Sequence, residues 1–317
     1  MALDPSQHSI AELRNRLLEE GEPVTSHLMQ KLRRDPRRGV QKLHRILERR
    51  RAKEKEREKR RESLLHFERI LWSSGIERLA GVDESGVGPL AGPVVAAAVM
   101  FPPETEIEGV DDSKQLEAET RRELAVTIRE RATGVAVGTV SVEEIDELNI
   151  YHGALLAMRR AVEGLPRSPQ HLLVDAREIP ELEIPQNRFD KGDGINFSIA
   201  AASIVAKVHR DRLMKELDRR FPEYGFASHK GYGTAEHQKA IRVHGPCPAH
   251  RRSFKFIREL CGEYSDRFYE LQEQLADLEG RSELNRFETR LSEAKRELPD
   301  EEYKKLRLTL TRRWKAL

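Results

Sequence analysis

The stretch AGVDESGVGPLAGPVVAAAV, residues 80–99, reads as two apolar strands joined by a turn rich in glycine and proline, with Asp83 and Glu84 closing the first strand. A carboxylate that ends a buried strand is costly unless it is hydrogen-bonded, paired or bound to a metal ion. Side chains alternate along a strand, so the two acids share one site only if the strand ends or bends between them. The glycines at 86, 88 and 92 make such a bend feasible.

Outward from this hairpin, ATGVAVGTVSV (132–142) gives a third strand and HLLVDA (171–176) a fourth, which ends at Asp175. RRELAVTIRERA (121–132) and YHGALLAMRRAVEGL (151–165) have helical periodicity, and FSIAAASIVAKVHRDRLMKELDRRF (197–221) is a long helix with Asn196 as its N-cap. Its alanine run lets the helix backbone approach a sheet closely. The order β-β-α-β-α-β predicts an α/β fold in which a mixed sheet is flanked by helices.

Composition divides the 317 residues into three parts. Residues 1–70 are polar and helix-prone, residues 71–261 hold most of the glycine and proline, and residues 262–317 carry leucines and aromatics at helical intervals in a charged background. The net charge of +2 conceals segregation: from Lys31 to Arg61 there are 16 Lys and Arg against 5 Asp and Glu. Such a segment suits a polyanionic partner, and it equally fits a solvated, charge-laced helix.

Cys247 and Cys261 are too few for a disulfide framework and lack the paired spacing of a structural zinc site. No apolar run approaches a membrane span, and the opening residues lack the apolar core of a secretory signal. The expectation is a reduced, cytoplasmic protein without membrane contact.

Asp83, Glu84 and Asp175 close strands, and Asp193 lies in the glycine-flanked loop DKGDGINFS (190–198) ahead of the alanine-rich helix. Acids on separate strands converge where α/β sheets bind ligands, and they repel one another without a cation. An oxygen-only donor set favours Mg²⁺ or Mn²⁺ over zinc, and such ions commonly bridge carboxylates to phosphates. Taken singly, each acid also fits a turn, cap or helix N-terminal role.

In order and spacing, AGVDESGVGPLAGPVVAAAV, DDSKQL, IDELNIYHGALLAMRRAV, LLVDA, KGDGINFSIAAASIVAKVHRDR, FPEYGFASHKGYGT and HRRSF resemble bacterial ribonuclease HII. The likeness covers about residues 79–254, and DPRRGVQKLHRILERR resembles the longer amino-terminal region of some members.

The resemblance implies a ribonuclease H-like fold. It also implies a metal-dependent endonuclease that cuts the RNA strand of RNA·DNA hybrids and ribonucleotides embedded in duplex DNA, leaving 3′-hydroxyl and 5′-phosphate ends. Position by position, the family's catalytic and metal-binding acids fall on Asp83, Glu84, Asp175 and Asp193. Tyr232 matches the tyrosine that packs on a deoxynucleotide sugar. Ser113, Lys114 and Lys191 match substrate-backbone contacts, whereas His209 and His229 fall on no catalytic position.

Two departures stand out. The family's Gly-Arg-Gly triplet, which reads the ribose 2′-hydroxyl largely through its main chain, is Gly86-Val87-Gly88 here, and Gln115 replaces a lysine of the DSK loop. Val87 brings no guanidinium to a phosphate. Two other readings follow: a hybrid-binding protein weakened in catalysis by these changes, or a ribonuclease H-like nuclease acting on DNA alone. Clustered acids give a pure binder of phosphates nothing, and KGDGINFSIAAASIVAKV and HKGYGT argue against the second.

Overall fold

β1 (Leu79–Ser85) pairs antiparallel with β2 (Val94–Met100), and β2 pairs antiparallel with β3 (Gly134–Val140). On the other side, β1 pairs in parallel with β4 (His171–Asp175), which pairs in parallel with β5 (Gln186–Phe189). The computed structural model describes residues 3–316 except 112, 115, 262, 263 and 279, so Gln115 lies outside the described residues. The sheet is mixed, in the order β3-β2-β1-β4-β5. β5 is the strand that periodicity does not reveal: QNRF is short, polar and half to fully exposed, and only its backbone register with β4 makes it a strand.

Residues up to Ser63 form one compact unit and those from Leu64 another. In the first, α1 (Ile10–Arg14), α2 (Ser26–Arg34) and α3 (Arg38–Leu64) enclose Leu13, Leu17, Leu28, Leu32, Val40, Leu43 and Leu47. Beyond Leu47 the side chains of α3 are exposed on every face from residue 48 to 59, so this basic stretch has no core of its own.

In the second unit, α4 (His66–Ser73) is followed by α5 (Ala118–Arg131), α6 (Val142–Glu163) and α7 (Phe197–Arg220). α5 and α7 cover one face of the sheet through Val95, Ala97, Val99, Ile128 and the buried run Ala200 to Ala202, and α6 covers the other through Ala154, Ala157, Met158 and Ala161. Leu64, Leu65 and Trp72 pack with the α5/α7 face, so this unit begins before residue 71.

Gly81 shows how closely α7 lies on β1, because a Cβ there would overlap the Ser198 carbonyl. Asn196 does occupy the N-cap position of α7, but its side chain makes no capping hydrogen bond. Glu68, fully buried on α4, caps instead: its Oε1 accepts from the Ser198 amide at 2.9 Å. Burial holds the Glu68 carboxyl above its usual range.

Four short helices follow: α8 (Phe226–His229), α9 (Ala235–His244), α10 (Lys255–Cys261) and α11 (Asp266–Ala276). Behind them come α12 (Arg281–Glu293) and α13 (Asp300–Ala316). The last three helices share a separate core of Phe268, Leu271, Leu275, Leu284, Phe287, Leu291, Leu306 and Leu310. They dock on α6, where Gln272 Nε2 donates to the Asp146 carbonyl at 2.6 Å. No helix among the described residues is long and apolar enough to cross a membrane.

Candidate active site

β1 does not end between its two acids, since pairing with β2 continues through Glu84 and Ser85. What stops is the parallel ladder to β4, whose last pair is Val82 with Val174. A crevice therefore opens at the carboxyl ends of β1 and β4. The Asp83 side chain turns back so that its Oδ1 accepts from the Glu84 amide at 2.7 Å. One carboxylate oxygen from each of Asp83, Glu84 and Asp175 lies within 4.8 Å of the others.

Asp193 adjoins this trio. The Gly192 amide donates to Asp175 Oδ1 at 2.6 Å, which binds the Asp193 loop to the end of β4, and the Asp193 charge acts on both Asp83 and Asp175. Burial, then the Glu84 and Asp175 charges, push the Asp83 carboxyl well above its usual range. Burial likewise raises Glu84 and Asp175, opposed at Glu84 by the Arg177 charge. Hard oxygen donors that resist ionising beside one another form a donor set suited to a metal cation.

Ser113 and Lys114 approach the acids from the loop before α5. Lys114 Nζ lies 3.1 Å from Asp193 Oδ2, and the buried Ser113 hydroxyl lies 2.8 Å from that of Ser203 on α7, which also hydrogen-bonds Asp83. Arg121 of α5 fixes the loop by donating to the Ser113 carbonyl at 2.7 Å. Lys191 is exposed, in a left-handed conformation with φ 58°.

The triplet turn is held from below. Gly86 has φ +100°, and a Cβ there would overlap the Arg210 guanidinium. The fully buried Arg251 donates to the carbonyls of Gly86 at 2.5 Å, Val87 at 2.9 Å and Gly92 at 2.8 and 2.9 Å. Arg210, also fully buried, donates to Pro93, Lys230 and Ala91 carbonyls at 3.0 to 3.2 Å. The half-buried Val87 side chain packs against the apolar α6 face of the sheet. Asp146 of α6 locks the segment carrying Arg251, accepting from the Arg252 amide and from the Ser253 amide and hydroxyl at 2.6 to 2.9 Å.

Tyr232, 48% exposed, lies beside Gly88; a Cβ on Gly88 would sit 3.7 Å from its ring. Beneath it is a column of histidines whose tautomers the hydrogen bonds assign. The Cys247 amide donates to His250 Nδ1 at 3.0 Å, so His250 donates from Nε2 to His237 Nε2 at 3.0 Å. His237 then donates from Nδ1 to the Tyr232 carbonyl at 2.8 Å. His229 stacks on His237 with centroids 4.3 Å apart; it accepts from the Gly231 amide and donates to the Tyr224 carbonyl. His229 is thus a structural residue, as its motif position implies.

The relay requires neutral rings, and burial drives both His237 and His250 down to about 4 from 6.5. Their folded-state values lie below the unfolded one, so their contribution to stability is complete above pH 6.5 and is lost as pH falls toward 4. Thermal melts across this range are expected to show a steeper fall in Tm than in His237→Gln. A parallel decline of the two would contradict the assignment.

Comparison with known proteins agrees with this architecture. The ribonuclease HII family model matches residues 80–257, and that of the ribonuclease HII N-terminal domain matches residues 9–72. Ribonuclease HII of Myxococcus xanthus is 50% identical over 257 residues, 81% of this chain and 88% of its own. That of Geobacillus thermodenitrificans is 50% identical over 259 residues, 82% of this chain and 99% of its own. The crystal structure of ribonuclease H2 from Pyrococcus horikoshii superposes with a TM-score of 0.50 at 29% identity, covering 58% of this chain and 96% of that one. With residues 9–72 and 80–257 matched by the family's models and relatives 50% identical over four-fifths of its length, the chain belongs to the ribonuclease HII family and is an endonuclease of the ribonuclease H type.

Proposed function

We propose that this endonuclease holds Mg²⁺ or Mn²⁺ on Asp83, Glu84, Asp175 and Asp193 and cleaves RNA·DNA hybrids and duplex DNA carrying single ribonucleotides. The observation that carries this reading is the convergence of Asp83, Glu84 and Asp175 within 4.8 Å, with Asp193 bound to the same strand end through Gly192. When bound, paired divalent ions supply the activation of water and the stabilisation of the leaving 3′-oxygen. The protein's part is to hold the four carboxylates together against their repulsion, through the Glu84 amide, the Gly192 amide and the Ser203 hydroxyl. No side-chain base is needed, and the histidines near Tyr232 serve the fold.

Gly86, Val87 and Gly88 offer their main chain to the ribose 2′-hydroxyl, and Tyr232 offers its ring to the next sugar. The fixed turn supports this role: Arg251 occupies the carbonyls of Gly86 and Val87, leaving the groove-facing groups of the triplet in one arrangement. Ser113, Lys114 and Lys191 contact the backbone of the substrate. The cellular role is removal of ribonucleotides from DNA in the cytoplasm, with residues 64–261 as the catalytic domain and residues 262–317 as a helical appendage. The reading is tested by incubating the protein with Mg²⁺ or Mn²⁺ and a duplex containing one ribonucleotide. Failure to cut that duplex or a hybrid in either metal would reject it.

The exposed basic face of α3 supplies phosphate neutralisation that Val87 and Gln115 do not. The deletion that tests this removes residues 1–63; removing 1–70 would also strip Leu64, Leu65 and the Glu68 cap. The shortened protein is expected to bind hybrid more weakly, with log K less steeply dependent on log salt by roughly 0.9 for each lost phosphate contact. An unchanged slope in a binding titration would leave α3 a solvated helix.

A further inference from the structure

Beyond the last residue of β4 the chain makes a tight reversal. Ala176 has φ 55°, and the Arg177 amide donates back to the Asp175 carbonyl at 2.6 Å, forming a γ-turn. The Ala176 amide is fixed as well, donating to the Phe189 carbonyl at 2.9 Å. A left-handed conformation at a residue with a Cβ is strained, and here it follows directly upon a candidate metal ligand.

The turn sets the Arg177 guanidinium over the ring of Tyr151, 4.9 Å from its centroid, with its charge bearing on Glu84. Tyr151 is 42% exposed at the rim of α6. Arg177 Nη1 is buried without a hydrogen-bond partner, Glu84 Oε2 is in the same condition, and Arg177 forms no salt bridge among the described residues. A buried donor left unpaired is costly, and a guanidinium beside a cluster of cation-binding carboxylates would oppose cation binding unless an anion enters between them.

From this arrangement we propose that Arg177 is a substrate-binding residue that takes a non-bridging oxygen of the phosphodiester entering the acid cluster. The inference rests on the proposed role of the four acids. The cation–π contact with Tyr151 restrains the guanidinium while Nη1 stays unpaired for a phosphate oxygen, a role that suits arginine and not lysine. The rival role is that Arg177 merely keeps Glu84 ionised, and the two roles differ in sign. Removing a cation next to a cation site strengthens metal binding if Arg177 serves the phosphate, whereas loss of a support for Glu84 weakens it.

The experiment uses the full-length Arg177→Gln protein. Mn²⁺ binding is measured by calorimetry without nucleic acid, and hybrid binding is measured across a salt series in Ca²⁺, an oxygen-ligated ion, with the strand checked for integrity. The expected result is about tenfold weaker hybrid binding, a salt slope shallower by roughly 0.9 and Mn²⁺ affinity equal to or above that of the parent. Weaker Mn²⁺ binding, or an unchanged slope, overturns the proposal. Tyr151→Ala, which keeps the charge and removes its platform, is expected to weaken hybrid binding severalfold with the slope retained, and unchanged affinity there also counts against it. Mn²⁺ binding and cleavage that survive in Asp83→Asn would instead sink the reading of the acids, whatever Arg177→Gln does.

Discussion

Asparagine in place of Asp83 is expected to reduce cleavage by roughly 10³-fold or more, about 4 kcal/mol of barrier, and at the same time to raise the Tm of the metal-free protein. The loss follows from removing a carboxylate whose oxygen lies within 4.8 Å of both other members of the trio and which is itself anchored by the Glu84 amide. The gain follows from electrostatics. Burial and three neighbouring acids push the Asp83 carboxyl well above 3.8, so its ionisation opposes folding increasingly as pH rises beyond that value. A neutral amide escapes this cost, and the gain in Tm grows from acid toward neutral pH. Metal ions do the same for the parent, whose Tm is expected to rise with Mn²⁺ by ligand linkage, more than that of the variant. Melts with and without Mn²⁺ beside a cleavage assay check all three statements; a destabilised Asp83→Asn protein would contradict the repulsion argument.

Arg251→Met is expected to be the most damaging single substitution outside the acids. The guanidinium is fully buried and donates four hydrogen bonds to carbonyls of the turn between β1 and β2. Burial, and then the Arg210 charge, lower it to about 9, so it remains protonated at neutral pH. Methionine fills similar volume but leaves three carbonyls without donors in a dry environment. The expected cost is about 3 to 5 kcal/mol, or roughly 10 °C in Tm. Arg251→Lys restores one charge without the fork and is expected to recover only part. Denaturant unfolding of the three proteins measures the difference, and a loss below about 1 kcal/mol in Arg251→Met would show that the turn does not depend on these bonds.

The two arginines also show where sequence ceases to inform. Asp83, Glu84, Asp175 and Asp193 could be picked out because a carboxylate ending an apolar strand, or set among glycines, is unusual as a residue type. Arg210 and Arg251 stand in HRDR and HRRSF, where basic neighbours suggest a surface. Their partners are backbone carbonyls, which any residue carries, so no pattern announces the burial. Ser203 was hidden for a related reason: within an alanine-rich helix it reads as a small packing residue, and its link to Ser113 and Asp83 arises only from tertiary proximity. β1 to β4 and the long helix followed from periodicity. The edge strand β5 did not, because its four residues carry no alternation. The cap of α7 came from Glu68, far away in the chain, although Asn196 stood at the expected place.

Gly81 gives the site its gauge. Because the backbone of α7 rests directly on β1 at this glycine, the standoff between helix and strand is set by a missing carbon atom, two residues before Asp83. α7 begins just after the Asp193 loop and carries Ser203, so its standoff also fixes how far those groups stand from the acids of β1. An alanine at position 81 would act as a shim, prising the helix outward and widening the crevice without altering any group within it. The dimensions of this active site are therefore machined in the core, beneath the chemistry that depends on them.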